Sequence, residues 1–167
     1  MDRPPPPGVS LHAAQWGDER SGIESVRRQV FIEEQGIPAD EEWDSIDPHA
    51  RHVLATAGKR DAVGTGRLEP TGKIGRVAVL PQYRGTGVGG AIVGYLVNQA
   101  TELGFTKVYL HAQTTALAFY ERLGFRAEGP VFDEVGIAHL RMTLGIEQSD
   151  EHEAGCHGHE EHPLDAR

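Results

Sequence analysis

The chain has 167 residues, of which 38% are hydrophobic and 25% are charged, and its formal net charge is -9. These values fit one globular domain, and no apolar stretch approaches the roughly 18 consecutive residues of a membrane span. The acidic balance and the lack of a basic cluster argue against nucleic acid as a partner.

The two ends of the chain differ in composition from its middle. Residues 1–8 are rich in proline, and residues 146–167 carry seven acidic side chains against one basic side chain. Neither end has enough apolar surface to offset the entropy of ordering. We therefore predict a disordered N-terminus over residues 1–8, a folded domain over residues 9–144 and a disordered tail over residues 145–167.

The tail also bears on metal binding and location. It holds the one cysteine, Cys156, and four histidines, so an internal disulfide is impossible. Their spacing matches no established structural zinc site, and we expect no metal. The N-terminus lacks the charged-then-apolar layout of a secretory signal, so a cytoplasmic protein without membrane contact is the expectation.

Strand and helix patterns alternate along the predicted domain. A helix over residues 21–35 has apolar side chains at helical spacing, and Ser21 with Glu24 forms a capping-box pair at its start. A second helix, over residues 88–103, carries a continuous apolar stripe. The other predicted elements are a short helix at residues 115–123 and strands at residues 9–14, 52–57, 62–68, 74–80, 107–113 and, as a final pair, 125–144. This order predicts an α/β fold with a mixed sheet and helices packed on it.

A glycine-rich loop joins the strand at residues 74–80 to the helix at residues 88–103. Its sequence is Gln82-Tyr83-Arg84-Gly85-Thr86-Gly87-Val88-Gly89-Gly90. Glycine lets the backbone approach an anion closely, and the N–H groups of a helix N-terminus present positive dipoles to that anion. Gln82 and Arg84 add side-chain donors. The loop therefore predicts a pyrophosphate site.

Other interpretations of this loop are open at this point. A P-loop is excluded because no Gly-Lys-Ser/Thr follows. Gly85, Gly87 and Gly90 match the dinucleotide-binding string, but the next strand ends His111-Ala112-Gln113, without the acidic residue that holds the ribose. A purely structural role, as a glycine-rich connection that binds no ligand, is the remaining alternative.

One pattern in the loop carries a family resemblance. The segment Gln82 to Gly87 matches Arg/Gln-x-x-Gly-x-Gly/Ala, the acyl-CoA pyrophosphate loop of the GNAT superfamily. Residues 118–125 resemble that family's second diagnostic stretch, and the likeness covers about residues 9–144. Residues 30–35, 74–79, 111–113 and 132–139 resemble the narrower ElaA-like (YjcF-like) branch.

The resemblance implies the GNAT acyl-CoA N-acyltransferase fold, in which helices flank a central, mostly antiparallel sheet, and it implies an acetyl-CoA site. The strands at residues 74–80 and 107–113 are expected to splay apart, and the pantetheine arm is expected to lie between them. The N–H of Val79 would then stabilise the tetrahedral oxyanion. The expected coenzyme-binding residues are Val77, Ala78, Val79, Gln82, Arg84, Gly85, Thr86, Gly87, Val88, Gly89, Gly90, Phe119 and Tyr120.

The implied reaction is direct attack of an amine on the thioester, which needs a base for the amine and an acid for the departing thiolate. Tyr120 holds the position of the acid in the family, and packing beside Phe119 in the core is its alternative role. His111 and Glu134 are the candidate bases, with His139 as a further candidate. A strand histidine with only a structural role is the alternative for both histidines.

An acidic cluster follows the first predicted helix and surrounds Trp43. In GNAT proteins this region borders the acceptor site, so its carboxylates either attract a cationic amine or form a solvent-exposed loop. Trp43 needs a group to pack on in either case. The cluster comprises Glu33, Glu34, Asp40, Glu41, Glu42, Asp44 and Asp47.

Together these features predict an N-acetyltransferase that transfers acetyl from acetyl-CoA to a primary amine of a small molecule or peptide. The acceptor itself is not identified, and a homodimer is a family expectation only. Two alternatives stay open from the residues: a CoA-binding regulatory module without catalysis, and a dinucleotide-binding enzyme.

Overall fold

The predicted alternation of strands and helices is confirmed in the computed structural model, which describes residues 1–147. The strands are β1 (Val9–Ala14), β2 (Arg51–Ala57), β3 (Asp61–Leu68), β4 (Ile74–Val79), β5 (Lys107–Gln113), β6 (Arg126–Glu134) and β7 (Ile137–Gly145). The α-helices are α1 (Trp16–Arg27), which continues as a π-helical segment (Arg28–Glu34), α2 (Ala39–Glu42), α3 (Val88–Glu102) and α4 (Leu117–Arg122).

The start of the first helix differs from the prediction. α1 begins at Trp16 rather than at residue 21, so Ser21 lies inside the helix and the predicted capping box is wrong. Glu24 instead pairs with Arg20, one turn earlier. Glu19 has non-helical dihedral angles (φ -116°, ψ 18°). Two helical stretches therefore meet at a kink, and the apolar periodicity of the second stretch does not extend into the first.

The strands form two antiparallel sheets, with orders β1-β2-β3-β4 and β5-β7-β6. β4 and β5 run in parallel where the sheets meet. In the part of the chain that the structure describes, their contact is one isolated bridge between Lys73 and Tyr109, where the Tyr109 N–H donates to the Gly72 carbonyl at 3.2 Å. Beyond this bridge the strands diverge, which confirms the predicted splayed pair.

A β-bulge shapes the β4 edge that faces this gap. Thr65 pairs with Ala78 and Arg67 with Gly75, so two steps along β3 match three steps along β4. Arg76 lies in the extra stretch with φ 51°, a left-handed conformation that is uncommon for a residue with a Cβ atom. Bulges bend a strand and increase its twist. This one turns the end of β4 relative to β5.

The long helix α3 packs directly on the four-stranded sheet. Two glycines of β3 permit the close approach, because a Cβ atom at Gly64 or Gly66 would lie 2.8 Å from the side chain of Ile92. Ile92 and Leu96 are fully buried in this layer. The packing fixes the N-terminus of α3 beside the end of β4, where the gap between the sheets opens.

Residues on both sides of the predicted domain, residues 9–144, form hydrogen bonds with it. The ammonium group of Met1 donates to Asn98 Oδ1 on α3 at 2.8 Å, and the Ile146 N–H donates to the Thr106 carbonyl at 2.7 Å. The division into residues 1–8, 9–144 and 145–167 stays a prediction. The interpretations of Cys156 and the tail histidines lie outside the described residues. No helix within residues 1–147 has the length and apolar character to cross a membrane.

Candidate active site

A cavity of about 520 Å³ lies between β4 and β5. Its walls come from both strands, from the π-helical segment, from the loop before α3, from α4 and from the turn between β6 and β7. The predicted site residues that line it are Val77, Ala78, Val79, Arg84, Gly85, Gly89, His111, Phe119, Tyr120 and Glu134, together with His139. The predicted residues Gln82, Thr86, Gly87, Val88 and Gly90 are not among its lining residues.

The backbone of Val79 faces the gap. The Leu80 N–H donates to the Val63 carbonyl at 2.9 Å, toward the neighbouring strand β3. Backbone groups alternate in direction along a strand, so the N–H and carbonyl of Val79 point to the opposite edge. The side chain of Arg84 reaches that edge, because its Nε donates to the Val79 carbonyl at 2.9 Å. The N–H of Val79 therefore faces the gap, which is the orientation that the predicted oxyanion donor needs; its role stays a prediction.

The glycine loop presents the N-terminus of α3 to the same gap. Gly85 (φ 74°) and Gly87 (φ 102°) occupy the left-handed region that favours glycine. Gly87 precedes the helix and offers no side-chain cap. The intrahelical bonds begin with the Ala91 N–H, which donates to the Gly87 carbonyl at 3.0 Å. The first N–H groups of α3 therefore lack an intrahelical acceptor, and such groups bind anions.

Glu134 joins the two candidate histidines. Its Oε1 lies 3.3 Å from His111 Nδ1, and its Oε2 lies 3.6 Å from His139 Nε2. The buried ring of His139 also contacts the Ile137 carbonyl through Nδ1 at 2.7 Å, so that nitrogen is the donor. The structure thus brings together three residues from β5, β6 and β7 that the sequence separates. No group of three or more His, Cys, Asp or Glu within residues 1–147 is arranged to hold a metal ion.

Glu134 is held in its ionised form. Burial opposes ionisation, but the hydrogen bond from His111 and the positive charge of Lys73 outweigh burial and keep the pKa of Glu134 below its usual range. A carboxylate at this position accepts a hydrogen bond from His111 Nδ1–H, which leaves Nε2 of that ring without a proton and able to accept one. The arrangement therefore suits His111 for proton acceptance.

Tyr120 lies on α4 and lines the cavity. Its ring meets Phe119 edge-on, with centroids 4.9 Å apart, and Phe125 with centroids 5.9 Å apart. Phe119 is buried, whereas Tyr120 is only partly buried. The ring of Tyr120 thus packs against the aromatic core, and the residue also borders the gap. A packing role and the predicted role as a proton donor are therefore compatible.

Three carboxylates of the acidic cluster, Glu42, Asp44 and Asp47, are bound by arginines rather than exposed in a solvated loop. Glu42 and Asp47 are buried and hold Arg27 between them, with N–O distances of 2.8 and 2.7 Å. Asp44 binds the buried Arg67 at 2.8 Å. Each of these carboxylates has an arginine partner, so the solvent-exposed loop is wrong for these three residues, and their attraction for a cationic amine stays a prediction.

Trp43 has the packing partner that the sequence requires. The guanidinium carbons of Arg27 and Arg28 lie 5.0 and 5.5 Å from its ring centroid, within the range of a cation–π contact. Trp43 therefore covers the buried arginine network and belongs to the fold rather than to an acceptor site.

Two contacts at the cavity mouth were not predicted. Arg84 forms a two-pronged ion pair with Glu34, both N–O distances being 2.6 Å, and the Gln113 side chain donates to Gln35 Oε1 at 2.8 Å. Both join the end of the π-helical segment to another element. Sequence patterns give no signal for such pairs, because the partners are 50 and 78 positions apart.

A splayed strand pair with an uncapped helix N-terminus at its mouth is the arrangement of acyl-CoA N-acyltransferases. Comparisons with known proteins agree with this class. Residues 18–146 match the family model described as the acetyltransferase (GNAT) domain. The N-acetyltransferase YjcF of Bacillus subtilis is 38% identical over 121 residues, which cover 70% of this chain and 86% of YjcF.

ElaA of Escherichia coli is 33% identical over 132 residues, which cover 74% of this chain and 86% of ElaA. Its crystal structure superposes with a TM-score of 0.72 at 25% identity, over 81% of this chain and 98% of ElaA. An acyl-CoA N-acyltransferase from Pseudomonas aeruginosa gives a TM-score of 0.72 at 29% identity, over 81% and 98% of the two chains. This chain belongs to the GNAT acetyltransferase family, in the branch of ElaA and YjcF.

The family assignment and the fold bear on the alternatives that the residues left open. The comparisons identify the chain as an N-acetyltransferase of the GNAT family. The dinucleotide interpretation of Gly85, Gly87 and Gly90 is wrong, because a dinucleotide fold needs a parallel sheet, whereas β1–β4 and β5–β7 form antiparallel sheets.

Proposed function

We propose that this chain transfers the acetyl group of acetyl-CoA to a primary amine of a small molecule or peptide. The observation that carries the proposal is the cavity between β4 and β5. It leads from the N-terminus of α3, past the gap-facing edge of Val79, to His111 and Glu134. An anion site, a backbone donor and a proton acceptor thus border one space.

In this proposal the loop before α3 binds the diphosphate of the coenzyme. The N–H groups from Gly85 to Gly90 face the phosphate oxygens, and Gln82 and Arg84 add side-chain donors. The pantetheine arm lies along the β4 edge, with its amides on Val77 and Val79. Phe119 and Tyr120 form the wall beside the thioester. The buried Val88 contributes its N–H, since its side chain belongs to the core.

The proposed chemistry follows from the same geometry. The amine nitrogen attacks the thioester carbon, and the Val79 N–H stabilises the oxyanion that forms. His111, oriented by Glu134, accepts the proton that the amine loses. The carbon–sulfur bond then breaks, and Tyr120 donates its proton to the departing thiolate. No metal takes part in this scheme.

A cationic acceptor fits the charges at the cavity. Glu41 and Glu134 line it, and a protonated amine is drawn toward carboxylates before it loses its proton. Glu34 and the acids Glu42, Asp44 and Asp47 contribute less, because each is paired with an arginine. A free-thiol assay across polyamines, amino sugars, amino acids and peptides identifies the acceptor. The cytoplasmic location and the homodimer stay predictions.

Gly87→Asp tests the coenzyme site directly. The new carboxylate stands at the N-terminus of α3, where it repels the diphosphate and competes for the N–H groups. We expect CoA to bind at least about tenfold more weakly in titration calorimetry, because a shift of about 1.4 kcal/mol changes affinity tenfold.

Gly104→Asp is the matched control for this variant. Gly104 has a similar left-handed φ of 87°, follows the other end of α3 and has no atom within 4 Å of an added Cβ. It therefore imposes the same kind of backbone strain without approaching the loop. Wild-type CoA affinity in Gly87→Asp would show that the diphosphate binds elsewhere.

A further inference from the structure

Arg84 spans the entrance of the coenzyme groove in the free protein. Its Nε donates to the Val79 carbonyl at 2.9 Å. Its two terminal nitrogens bind the two oxygens of Glu34, both at 2.6 Å. Three contacts therefore fix this side chain between β4 and the end of the π-helical segment. The pairing raises the pKa of Arg84 and lowers that of Glu34.

This position conflicts with coenzyme binding in two ways. The Val79 carbonyl is an acceptor on the β4 edge along which the pantetheine amides would bind, and Arg84 already occupies it. The guanidinium group is also directed at Glu34 rather than toward the glycine loop in which a diphosphate would lie. Both ligand groups thus compete with contacts that the free protein already makes.

We propose that Glu34 is a positioning residue that latches Arg84 across the groove, and that CoA opens this latch when it binds. This inference rests on the proposed function. When CoA binds, Arg84 releases the Glu34 carboxylate and binds the diphosphate instead. A pantetheine amide then takes the place of Arg84 Nε as the donor to the Val79 carbonyl. Glu34 therefore lowers coenzyme affinity by stabilising the closed arrangement, and it remains at the cavity as a free carboxylate once CoA is bound.

The latch predicts an effect that simple damage to the site does not produce. Replacing Glu34 by alanine adds no contact with CoA. It does remove the free energy needed to break the Arg84–Glu34 ion pair before CoA binds. Half-exposed ion pairs are modest in strength, and we expect Glu34→Ala to bind CoA about threefold more tightly than wild type. Loss of structure at the groove would weaken binding instead.

The matched control is Glu33→Ala, which removes the same charge from the neighbouring exposed position. A general electrostatic effect on an anionic ligand would tighten binding equally in both variants, whereas the latch requires tightening in Glu34→Ala alone. A double-mutant cycle adds Arg84→Gln to each protein. Since Glu34 acts through Arg84, Glu34→Ala should leave CoA affinity unchanged in the Arg84→Gln background.

Titration calorimetry with CoA provides the dissociation constants for all of these proteins. Equal or weaker binding by Glu34→Ala, equal tightening by Glu33→Ala, or tightening that persists without Arg84 would each overturn the latch. Wild-type protein serves as the internal reference. If wild type itself fails to bind CoA, the proposed function fails, whereas normal binding by wild type with no gain in Glu34→Ala refutes the latch alone.

Discussion

Single residues at the cavity are held by partners from distant parts of the sequence. Glu134 contacts His111 across 23 positions, and Arg84 contacts Glu34 across 50. The residue types themselves were predictable, because a histidine, a carboxylate and a tyrosine are the groups that proton transfer uses. Their pairing was not, since a hydrogen bond between strands depends on register and rotamer rather than on local pattern.

Tyr120→Phe tests the proposed proton donor. The variant keeps the ring that contacts Phe119 and Phe125 and removes only the hydroxyl group. The thiolate then departs without its acid, so we expect kcat for acetyl transfer to fall at least about tenfold, in the range typical of general-acid loss. CoA affinity should stay close to wild type, because the hydroxyl acts on the leaving group.

The comparison variant is Tyr109→Phe, in which the lost hydroxyl belongs to β5 and donates to Thr71 at 3.1 Å. Tyr109 does not line the cavity, so its kcat should match wild type. Steady-state kinetics that follow free-thiol release measure both variants. Unchanged kcat in Tyr120→Phe would remove this tyrosine from the mechanism.

At the scale of elements, the sequence predicted the positions of the strands well, but it did not predict how the strands are arranged into sheets. Alternating side chains and turn residues defined β1 and β5 at the observed positions, because these signals are local. The family resemblance alone predicted the splayed strand pair, and the division into two sheets was not predicted. Strand patterns do not reveal which edges stay apart, and the bulge at Arg76 has no composition signal, since a non-glycine residue adopts the left-handed conformation there.

The contact between α3 and β3 depends on two glycines. Gly66→Ala places a Cβ atom 2.8 Å from Ile92 and 2.9 Å from Leu96. These side chains are fully buried and have little room to move. Overpacking of this kind costs about 1–3 kcal/mol, and we expect a matching decrease in the free energy of unfolding, measured by urea denaturation.

Gly17→Ala provides the reference for this experiment. Gly17 lies in α1, and an added Cβ there meets no atom within 4 Å. Alanine favours the helix by about 0.5–1 kcal/mol over glycine, so this variant should equal or exceed wild type in stability. An equal loss in both variants would attribute the effect to glycine replacement in general, and an unchanged Gly66→Ala would mean that α3 can shift.

Across the whole molecule, a buried charge network ties the helices to the sheet. Arg27 from α1 binds Glu42 of α2, and Arg67 from β3 binds Asp44 and Asp47. Every carboxylate in this set has an arginine partner, which compensates the charges of the buried Glu42 and Asp47 and of the partly exposed Asp44. The acidic composition of residues 40–47 suggests an exposed loop when the sequence is considered alone, because the arginines that pair with Glu42, Asp44 and Asp47 lie on other elements.

The network makes stability depend on pH in a defined direction. Burial opposes ionisation of Asp44, but the hydrogen bonds and charge of Arg67 outweigh it and lower its pKa from 3.8 to about 2. A carboxyl group whose pKa is lowered by folding stabilises the native state above its unfolded value. That contribution is lost as the pH falls from about 4 toward 2.

Asp44→Asn should therefore destabilise the protein at neutral pH and lose this effect in acid. Each pKa unit corresponds to about 1.4 kcal/mol, and because the Asp44 side chain is 26% exposed, solvent screening reduces the expected loss to about 1–2 kcal/mol at pH 7. Urea denaturation at pH 7, 4 and 2.5 compares this variant with wild type and with Asp61→Asn, which alters an exposed aspartate. The gap between Asp44→Asn and wild type should close toward pH 2.5, while Asp61→Asn follows wild type throughout. A deficit of constant size at every pH would mean that the asparagine disturbs packing, and that the ionised carboxylate at position 44 does not stabilise the fold.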